Sequence, residues 1–155
     1  MKIRRVVTGH KADGEATVLI DELLQDAVSF RPGATVCNIW STPLPADNDD
    51  PADGAKQIVG TAMKGRSVFR VIEYAPGVAP RNHRTDSIDY AVVLSGEITM
   101  EIDREMVSLR AGDVLVQRGT IHNWVNRGNA PCVIVFVLID ALPASVAGGE
   151  LQAVG

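Results

Sequence analysis

The chain has 155 residues, of which 46% are hydrophobic and 22% charged, a balance typical of one folded domain with a single apolar core. Its formal charge of −4 and pI of about 5.3 argue against the basic surface that nucleic-acid binding requires. No run approaches the ~20 apolar residues of a membrane-spanning helix, and the amino terminus lacks the apolar run of a signal peptide, so we expect a cytoplasmic protein.

In chain order, the dominant pattern is a series of short runs rich in Val and Ile, separated by Gly, Pro, Asn and Asp, which predicts β-strands. The predicted strands are Ile3–Thr8, Thr17–Ile20, Thr35–Trp40, Val68–Tyr74, Tyr90–Leu94, Ile98–Ile102, Met106–Leu109, Asp113–Gln117, Asn123–Asn126 and Cys132–Ile139. So many short strands in one domain indicate an all-β barrel or sandwich. Helical periodicity is weak, and we expect at most a turn or two at Asp21–Ala27 and at Asp53–Met63.

Two segments have the composition of irregular structure. Residues 41–54 contain three prolines and four aspartates, which predicts a loop. A calcium loop of the EF-hand type starting at Asp49 is disfavoured, because its third position is Pro51, which has no side-chain oxygen. Residues 143–155 are rich in Ala and Gly, so we expect a single domain over residues 1–142 and a flexible tail beyond it.

Cys37 and Cys132 both lie in strand-like runs, with no second Cys or His at metal-binding spacing. This pattern favours small buried hydrophobic side chains. A disulfide between the two residues stays open as an alternative, although the reducing compartment that we expect argues against it.

The stretch Gly77–Gly96 is the most informative part of the sequence. If it is extended, His83, Thr85, Ser87 and Asp89 share one face, because successive side chains on a strand point to opposite sides. Taken singly, His83 is a polar loop residue and Asp89 a strand-edge residue. Their spacing, and the cost of burying an unpaired carboxylate, favour a shared site instead.

A second stretch, Gly112–Asn126, contains a strand, an Arg-Gly turn and then His122 at the start of another strand, with Trp124 and Asn126 on the same face. Trp40 and Trp124 are most simply core aromatics. Because an aromatic ring in a barrel mouth can also stack on a flat substrate, Trp124 is the better candidate for a substrate pocket, together with Trp40 and Asn126.

Imidazole nitrogen and carboxylate oxygen together suit Fe, Mn, Ni or Zn, and two His plus one carboxylate leave coordination positions open for a substrate or O₂. The sequence therefore offers His83, Asp89 and His122 as candidate ligands of a divalent metal ion. Whether the two stretches meet in space depends on the fold.

Together, the two stretches resemble the paired motifs of the cupin superfamily. The first family motif is a Gly, five residues, His-x-His, three or four residues, Glu, six residues and Gly. Gly77, His83, Asp89 and Gly96 keep every spacing of this motif. Thr85 replaces the second His, and an Asp replaces the Glu.

The second family motif is a Gly, five residues, Pro-x-Gly, two residues, His, three residues and Asn. Gly112, Gly119, His122 and Asn126 match it, with Gln117 in place of the Pro and one residue missing before the turn. The resemblance covers about residues 66–140, and the strands before this range fit the amino-terminal strands that extend cupin barrels.

The resemblance implies a double-stranded β-helix, or jelly-roll, barrel with extra amino-terminal strands. It also implies that His83, Asp89 and His122 hold the metal. Thr85 either orients a metal-bound water or marks a site that has lost its metal, and Gln117 is a candidate for a fourth, weaker ligand if its side chain points inward. Cupins commonly pair through their amino-terminal strands, so a homodimer is expected.

Two functions fit these expectations. The first is a metal-dependent enzyme acting on a small organic substrate inside the barrel; cupins include dioxygenases, isomerases, decarboxylases and lyases, so the resemblance does not select the reaction. The second is a non-catalytic module that binds a small molecule and has lost or weakened its metal site, which the replaced ligand residues favour.

Overall fold

The structure is a computed structural model that describes residues 1–24 and 27–155. The described elements are β-strands and a short 3-10 helix, Gly54–Lys56. The strands are β1 (Ile3–His10), β2 (Ala16–Leu24), β3 (Val28–Arg31), β4 (Ala34–Pro43), β5 (Arg66–Tyr74), β6 (Ser87–Ser95), β7 (Glu97–Ile102), β8 (Glu105–Arg110), β9 (Val114–Arg118), β10 (Asn123–Val125), β11 (Cys132–Asp140), β12 (Ser145–Val146) and β13 (Gly149–Glu150). In this part of the chain, no helix has the length and apolar character needed to cross a bilayer.

The strands form two main antiparallel sheets. The larger sheet has the order β3-β4-β5-β11-β6-β9, and the smaller one has the order β10-β7-β8. Strands β1 and β2 form a separate hairpin, and β12 and β13 form a short one near the end of the chain. The all-β fold expected from the sequence is confirmed, and it is a double-stranded β-helix.

The core lies between the two main sheets. Along β11 every second side chain is buried, which is the period of a strand with one face on a core. The side chains of the small sheet that meet this face are Ile98, Met100, Leu109 and Trp124, each at most 9% exposed. Burying a side chain of this size stabilises the fold by roughly 1.5–3 kcal/mol, so this seam supplies much of the driving force for closure.

Gly96 makes the tight turn from β6 to β7 possible. Its φ is +75°, and a Cβ at this position would lie 2.5 Å from the carbonyl oxygen of Pro131. Any larger residue would therefore meet both backbone strain and a clash. Steric constraints therefore require a glycine at the last position of the first motif.

Arg5 fastens the β1–β2 hairpin to the barrel. Its side chain is almost fully buried and donates to both carboxylate oxygens of Asp53, at 2.5 and 2.9 Å, and to Glu22. The same Asp53 caps the 3-10 helix by accepting from the backbone N–H of Ala55, and the hydrogen bonds from Arg5 lower the pKa of Asp53 to about 2. The guanidinium lies 5.8 Å from the ring centroid of Trp40, which completes the cluster.

The ten predicted strands correspond to β1, β2 and β4–β11, whereas β3, β12 and β13 were not predicted. The helical turn expected at Asp21–Ala27 is wrong for residues 21–24, which belong to β2; residues 25 and 26 lie outside the described residues. Pairing with β1 overrides the local pattern there. The expectation at Asp53–Met63 reduces to the 3-10 helix Gly54–Lys56.

The end of the chain is hydrogen-bonded to the segment that carries the first motif. Arg84 and Val154 form an antiparallel bridge, and Arg84 Nε donates to the carbonyl oxygen of Gln152 at 3.0 Å. The backbone N–H of Leu151 donates to Ala144. The domain boundary at residue 142 and the flexibility expected beyond it stay predictions.

Candidate functional site

His83 and His122 lie side by side at one end of the barrel. Their backbones form an antiparallel bridge in which each N–H donates to the other residue's carbonyl at 3.0 Å. The ring centroids are 4.1 Å apart. The fold thus brings together the two histidines that the sequence singled out from separate stretches.

Backbone carbonyls fix the orientation of both rings. The Nδ1 of His83 lies 3.1 Å from the carbonyl oxygen of Arg81, and the Nδ1 of His122 lies 3.0 Å from that of Thr120. Because a carbonyl oxygen only accepts, each bond puts the ring proton on Nδ1 and leaves the Nε2 lone pair free. The buried side-chain amide of Gln117 lies 3.1 Å from the same Nδ1 of His122, so it is not on the Nε2 side of the ring. Because an amide nitrogen only donates, a protonated Nδ1 requires the amide oxygen of Gln117 to face the ring.

Both imidazoles are neutral at physiological pH. Burial, with a smaller effect from His122, lowers the pKa of His83 to about 4. Burial also lowers the pKa of His122. An uncharged ring with a free Nε2 can take up a proton or bind a metal ion, so this pair has the chemistry of a reaction centre.

Asp89 lies on the predicted face but is engaged elsewhere. Thr85 Oγ1 and Ser87 Oγ are 2.8 Å apart, and Ser87 Oγ donates to Asp89 Oδ1 at 2.6 Å. Burial raises the pKa of Asp89. Within residues 1–24 and 27–155, no three His, Cys, Asp or Glu side chains lie together as a metal-binding group, so the structure joins His83 to His122 but does not add Asp89. The proposed metal role of this trio stays a prediction.

A cavity of about 330 Å³ opens beside the histidine pair. Its apolar walls come from β3, β4 and β5, and its polar lining includes His83, Arg31, Arg70 and Arg81. A larger groove of about 690 Å³ runs along the outside, between Asp86 and the tail. We assign the candidate site to the smaller cavity because His83 lines it, whereas no histidine lines the groove.

The aromatic and amide residues predicted to line the pocket lie elsewhere. Trp124 is 2% exposed and packs its ring in the core, 5.8 Å from the ring centroid of His122. Trp40 packs against Arg5. Asn126 donates to two backbone carbonyls and supports a loop. None of these three lines the 330 Å³ cavity, because their side chains are committed to core packing or loop hydrogen bonds.

Comparison with known proteins agrees with this architecture. The family model described as Cupin domain matches residues 70–138. The cupin-domain-containing oxidoreductase fogC of Aspergillus ruber is 31% identical over 160 residues, an alignment that covers 97% of this chain and 79% of that protein. This chain belongs to the cupin superfamily.

Two further proteins are similar to this cupin, one in sequence and one in structure. The Phomopsin biosynthesis cluster protein C' of Diaporthe leptostromiformis is 44% identical over 97 residues, which cover 61% of this chain and 51% of that protein. The crystal structure of the polyketide cyclase RemF from Streptomyces resistomycificus has a TM-score of 0.52 at 19% identity, covering 73% of this chain and 72% of that one. The resemblance noted from the two motifs is confirmed, and the RemF match supports the fold alone.

Sequence reasoning missed the arginines of this cupin's cavity. The sequence around Arg31, Arg70 and Arg81 contains no basic run, so it gives no sign that these residues differ from ordinary surface arginines. A signal was present for one of them: Arg70 alternates with Val68 and Tyr74 along β5, on the face that is buried.

Proposed function

We propose that this cupin is an enzyme that converts a small organic molecule bound in the cavity beside His83. The observation that carries the proposal is the pair of buried, neutral imidazoles whose Nδ1 atoms are held by backbone carbonyls. Such a pair is preorganised, since neither Nε2 atom has a hydrogen-bond partner among the described residues. The cavity volume of about 330 Å³ suits a ligand smaller than most drugs.

The reaction class that we propose is an oxidation or reduction. Its support is that fogC, which is named an oxidoreductase, aligns with 97% of this chain. Shared fold alone does not select a reaction, so substrate turnover has to decide this point.

A divalent metal ion, such as Fe, Mn, Ni or Zn, would be held by His83 and His122, with Asp89 as the proposed third ligand. The donor set fits in part: the two imidazoles present the correct nitrogen, while Asp89 would first have to leave Ser87. When bound, such an ion would act as a Lewis acid or bind O₂. The chain's own residues would orient the substrate and keep bulk water from the buried rings.

The second candidate is a binding module with a lost or weakened metal site. It is favoured by the surroundings of the histidines, since Arg31 and Arg81 both contribute positive charge that lowers the pKa of His83. A cationic environment of this kind disfavours a divalent cation as well as a proton. Metal content and turnover separate the two candidates.

The first experiment measures metal by elemental analysis in protein purified without added metal. Stoichiometric metal that disappears in a His83→Ala/His122→Ala variant supports the metal-dependent enzyme. Asp89→Asn tests the third ligand, and Asp86→Asn, which makes the same change in the outer groove, is the matched control. No metal in any form of the protein, with no rise in melting temperature on adding Fe, Mn, Ni or Zn, supports the non-metal alternatives.

The second experiment tests catalysis itself. The protein is incubated with a defined library of small organic acids, alcohols and phenols, and mass changes of two or sixteen daltons are sought by mass spectrometry. We expect turnover by the wild type and at least a ~100-fold loss in His122→Ala, as for removal of a group in the reaction centre. Absence of turnover by metal-loaded wild type across the library would leave the binding module.

A further inference from the structure

Three arginines face the cavity beside His83, and among the described residues no acid lines it. Arg31, Arg70 and Arg81 all contribute to the lining, together with Thr61 and apolar side chains. None of the three forms a salt bridge with a described carboxylate; the ion pairs in this part of the chain involve other residues. The charge of Asp89 acts on Arg70 from outside this lining, so three cations face one acid and the cavity keeps a net positive charge.

Arg70 is the most unusual of the three because it is buried. Its side chain is 4% exposed on the inner face of β5, and its Nη2 donates to the carbonyl of Gly60 at 2.5 Å. Its Nε is buried and has no hydrogen-bond partner among residues 1–24 and 27–155. Asn38 lies directly across from Arg70 on β4, and its Oδ1 also has no partner, so the two groups do not satisfy each other. Burial lowers the pKa of Arg70 to about 10, which keeps it cationic at neutral pH.

Arg31 supplies a second spare donor. Its guanidinium lies 5.7 Å from the ring centroid of Tyr74, and its Nη1 is buried with no hydrogen-bond partner in the part of the chain that the structure describes. Arg81 is already engaged, because its Nη2 donates to Thr61 Oγ1 at 3.1 Å and to the carbonyl oxygen of Gly155 at 2.6 Å. Arg31 and Arg70 are therefore the residues left to bind a ligand, and Arg81 adds charge.

We propose that Arg31 and Arg70 bind the carboxylate group of a small organic acid in this cavity. A buried donor without a partner costs free energy, and a planar two-oxygen anion is the ligand that guanidinium groups match best. The apolar side chains of Phe30, Val36 and Ile72 line the same cavity and would contact an apolar body of the acid. If the protein is the enzyme proposed above, small organic acids are its substrate class. Binding of the acid does not depend on that function; only the statement that the acid is a substrate does.

The test uses matched probes on the full chain. Benzoate, benzamide and benzylammonium have nearly the same shape and carry negative, zero and positive charge, so isothermal titration of each isolates the role of charge. We expect benzoate to bind at least ~10-fold more tightly than benzamide and benzylammonium to bind least, with the benzoate affinity falling as salt rises.

Variants locate the site. Arg70→Met and Arg31→Gln should each weaken benzoate binding at least ~10-fold, whereas Arg118→Gln, an exposed charge change on β9, should leave it unchanged. Thermal melts show whether each variant is folded, and Arg31→Gln keeps the test valid if Arg70→Met does not fold.

The assignment would be overturned by no benzoate binding in the millimolar range, by equal binding of benzoate and benzamide, or by full benzoate affinity in both arginine variants. Inorganic phosphate binding more tightly than benzoate would also overturn it, in favour of a phosphate ligand. His122→Ala separates this inference from the proposed function, because His122 does not line the cavity. If His122→Ala changes neither the benzoate affinity nor the turnover rate, the enzyme proposal is wrong and the carboxylate site stands.

Discussion

Arg5 and Arg70 are both 4% exposed, yet their surroundings are opposite. Arg5 donates to the carboxylates of Asp53 and Glu22, whose hydrogen bonds raise its pKa. Arg70 donates to one backbone carbonyl and has a buried Nε without a partner, and burial lowers its pKa. Arg5 is therefore in direct contact with two carboxylates, whereas Arg70 has no described carboxylate within salt-bridge distance and interacts with Asp89 only at longer range.

The difference in partners indicates a structural role for Arg5 and a ligand-binding role for Arg70. A buried charge with acidic partners holds two parts of the chain in register, here the amino-terminal hairpin and the loop after β4. A buried charge without such partners opposes folding, so its presence is best explained by a ligand that it binds. Under the anion-binding proposal, stability and function are therefore divided between two residues of the same type.

The largest change in stability is expected from removing the salt bridges of Arg5. Arg5→Met should lower the free energy of unfolding by about 3 kcal/mol, because it leaves Asp53 without its main partner and frees the hairpin. Equilibrium urea denaturation measures this change. Arg4→Met, which removes an exposed ion pair with Asp21 on the same strand, is the control and should change stability little. Equal effects of the two substitutions would show that burial of Arg5 is not what matters.

Lowering the pH should reduce the free energy of unfolding through His83 at a higher pH than through Asp53, the partner of Arg5. The pKa of His83 is about 4 in the folded chain against 6.5 for an ordinary His, so between these values only the unfolded state takes up the proton. The free energy of unfolding of the metal-free protein should thus fall by up to about 3 kcal/mol as the pH drops from 6.5 to 4. The pKa of Asp53 is lowered from 3.8 to about 2, so its contribution is present above 3.8 and is lost only as the pH falls through 2.

Urea denaturation at stepped pH measures this separation. The charges of His122, Arg81 and Arg31 all lower the pKa of His83. The raised pKa of Asp89 has the opposite effect on the pH dependence, because the contribution of Asp89 to the free energy of unfolding is lost as the pH rises. The difference between wild type and His83→Asn isolates the histidine, and the variant should have the shallower slope above pH 4. Parallel curves would contradict the lowered pKa.

A smaller effect of opposite sign is expected at the unpaired arginine. Arg70→Met should raise the free energy of unfolding by about 1 kcal/mol, because an apolar side chain replaces a buried charge that forms no salt bridge with a described carboxylate and interacts with Asp89 only at longer range. Arg66→Met on the same strand should lower it, since Arg66 Nε donates to Ser41 Oγ at 3.0 Å. A marked loss of stability in Arg70→Met would mean that Arg70 is structural, like Arg5.

The last prediction concerns mass and not stability. The hairpin held by Arg5 exposes Val18, Leu19 and Leu23 by 54%, 60% and 58%, and the homodimer expected from the sequence would cover such side chains. Leu19→Lys/Leu23→Lys should halve the mass found by analytical ultracentrifugation, whereas Met106→Lys on β8 should not. A wild-type monomer at every concentration would refute the dimer.

The strands were largely predictable because alternation of apolar and polar side chains is a local property. It located β1, β2 and β4–β11, but β3 is only four residues long and gives too little pattern. The two histidines were also found from spacing, since each motif lies within one continuous stretch. Asp89 was expected beside them on the same reasoning, yet sharing a face of a strand does not fix the distance to a residue on another strand.

The amino-acid sequence by itself determined the all-β class, the cupin motifs and the identity of the histidine pair, because these depend on residue order within short segments. Only the tertiary structure decided that His83 and His122 touch, that Ser87 holds Asp89, and that Arg5 is paired while Arg70 is not. Such contacts join residues on different strands, and their energies depend on burial and on partners that only the folded chain brings within reach.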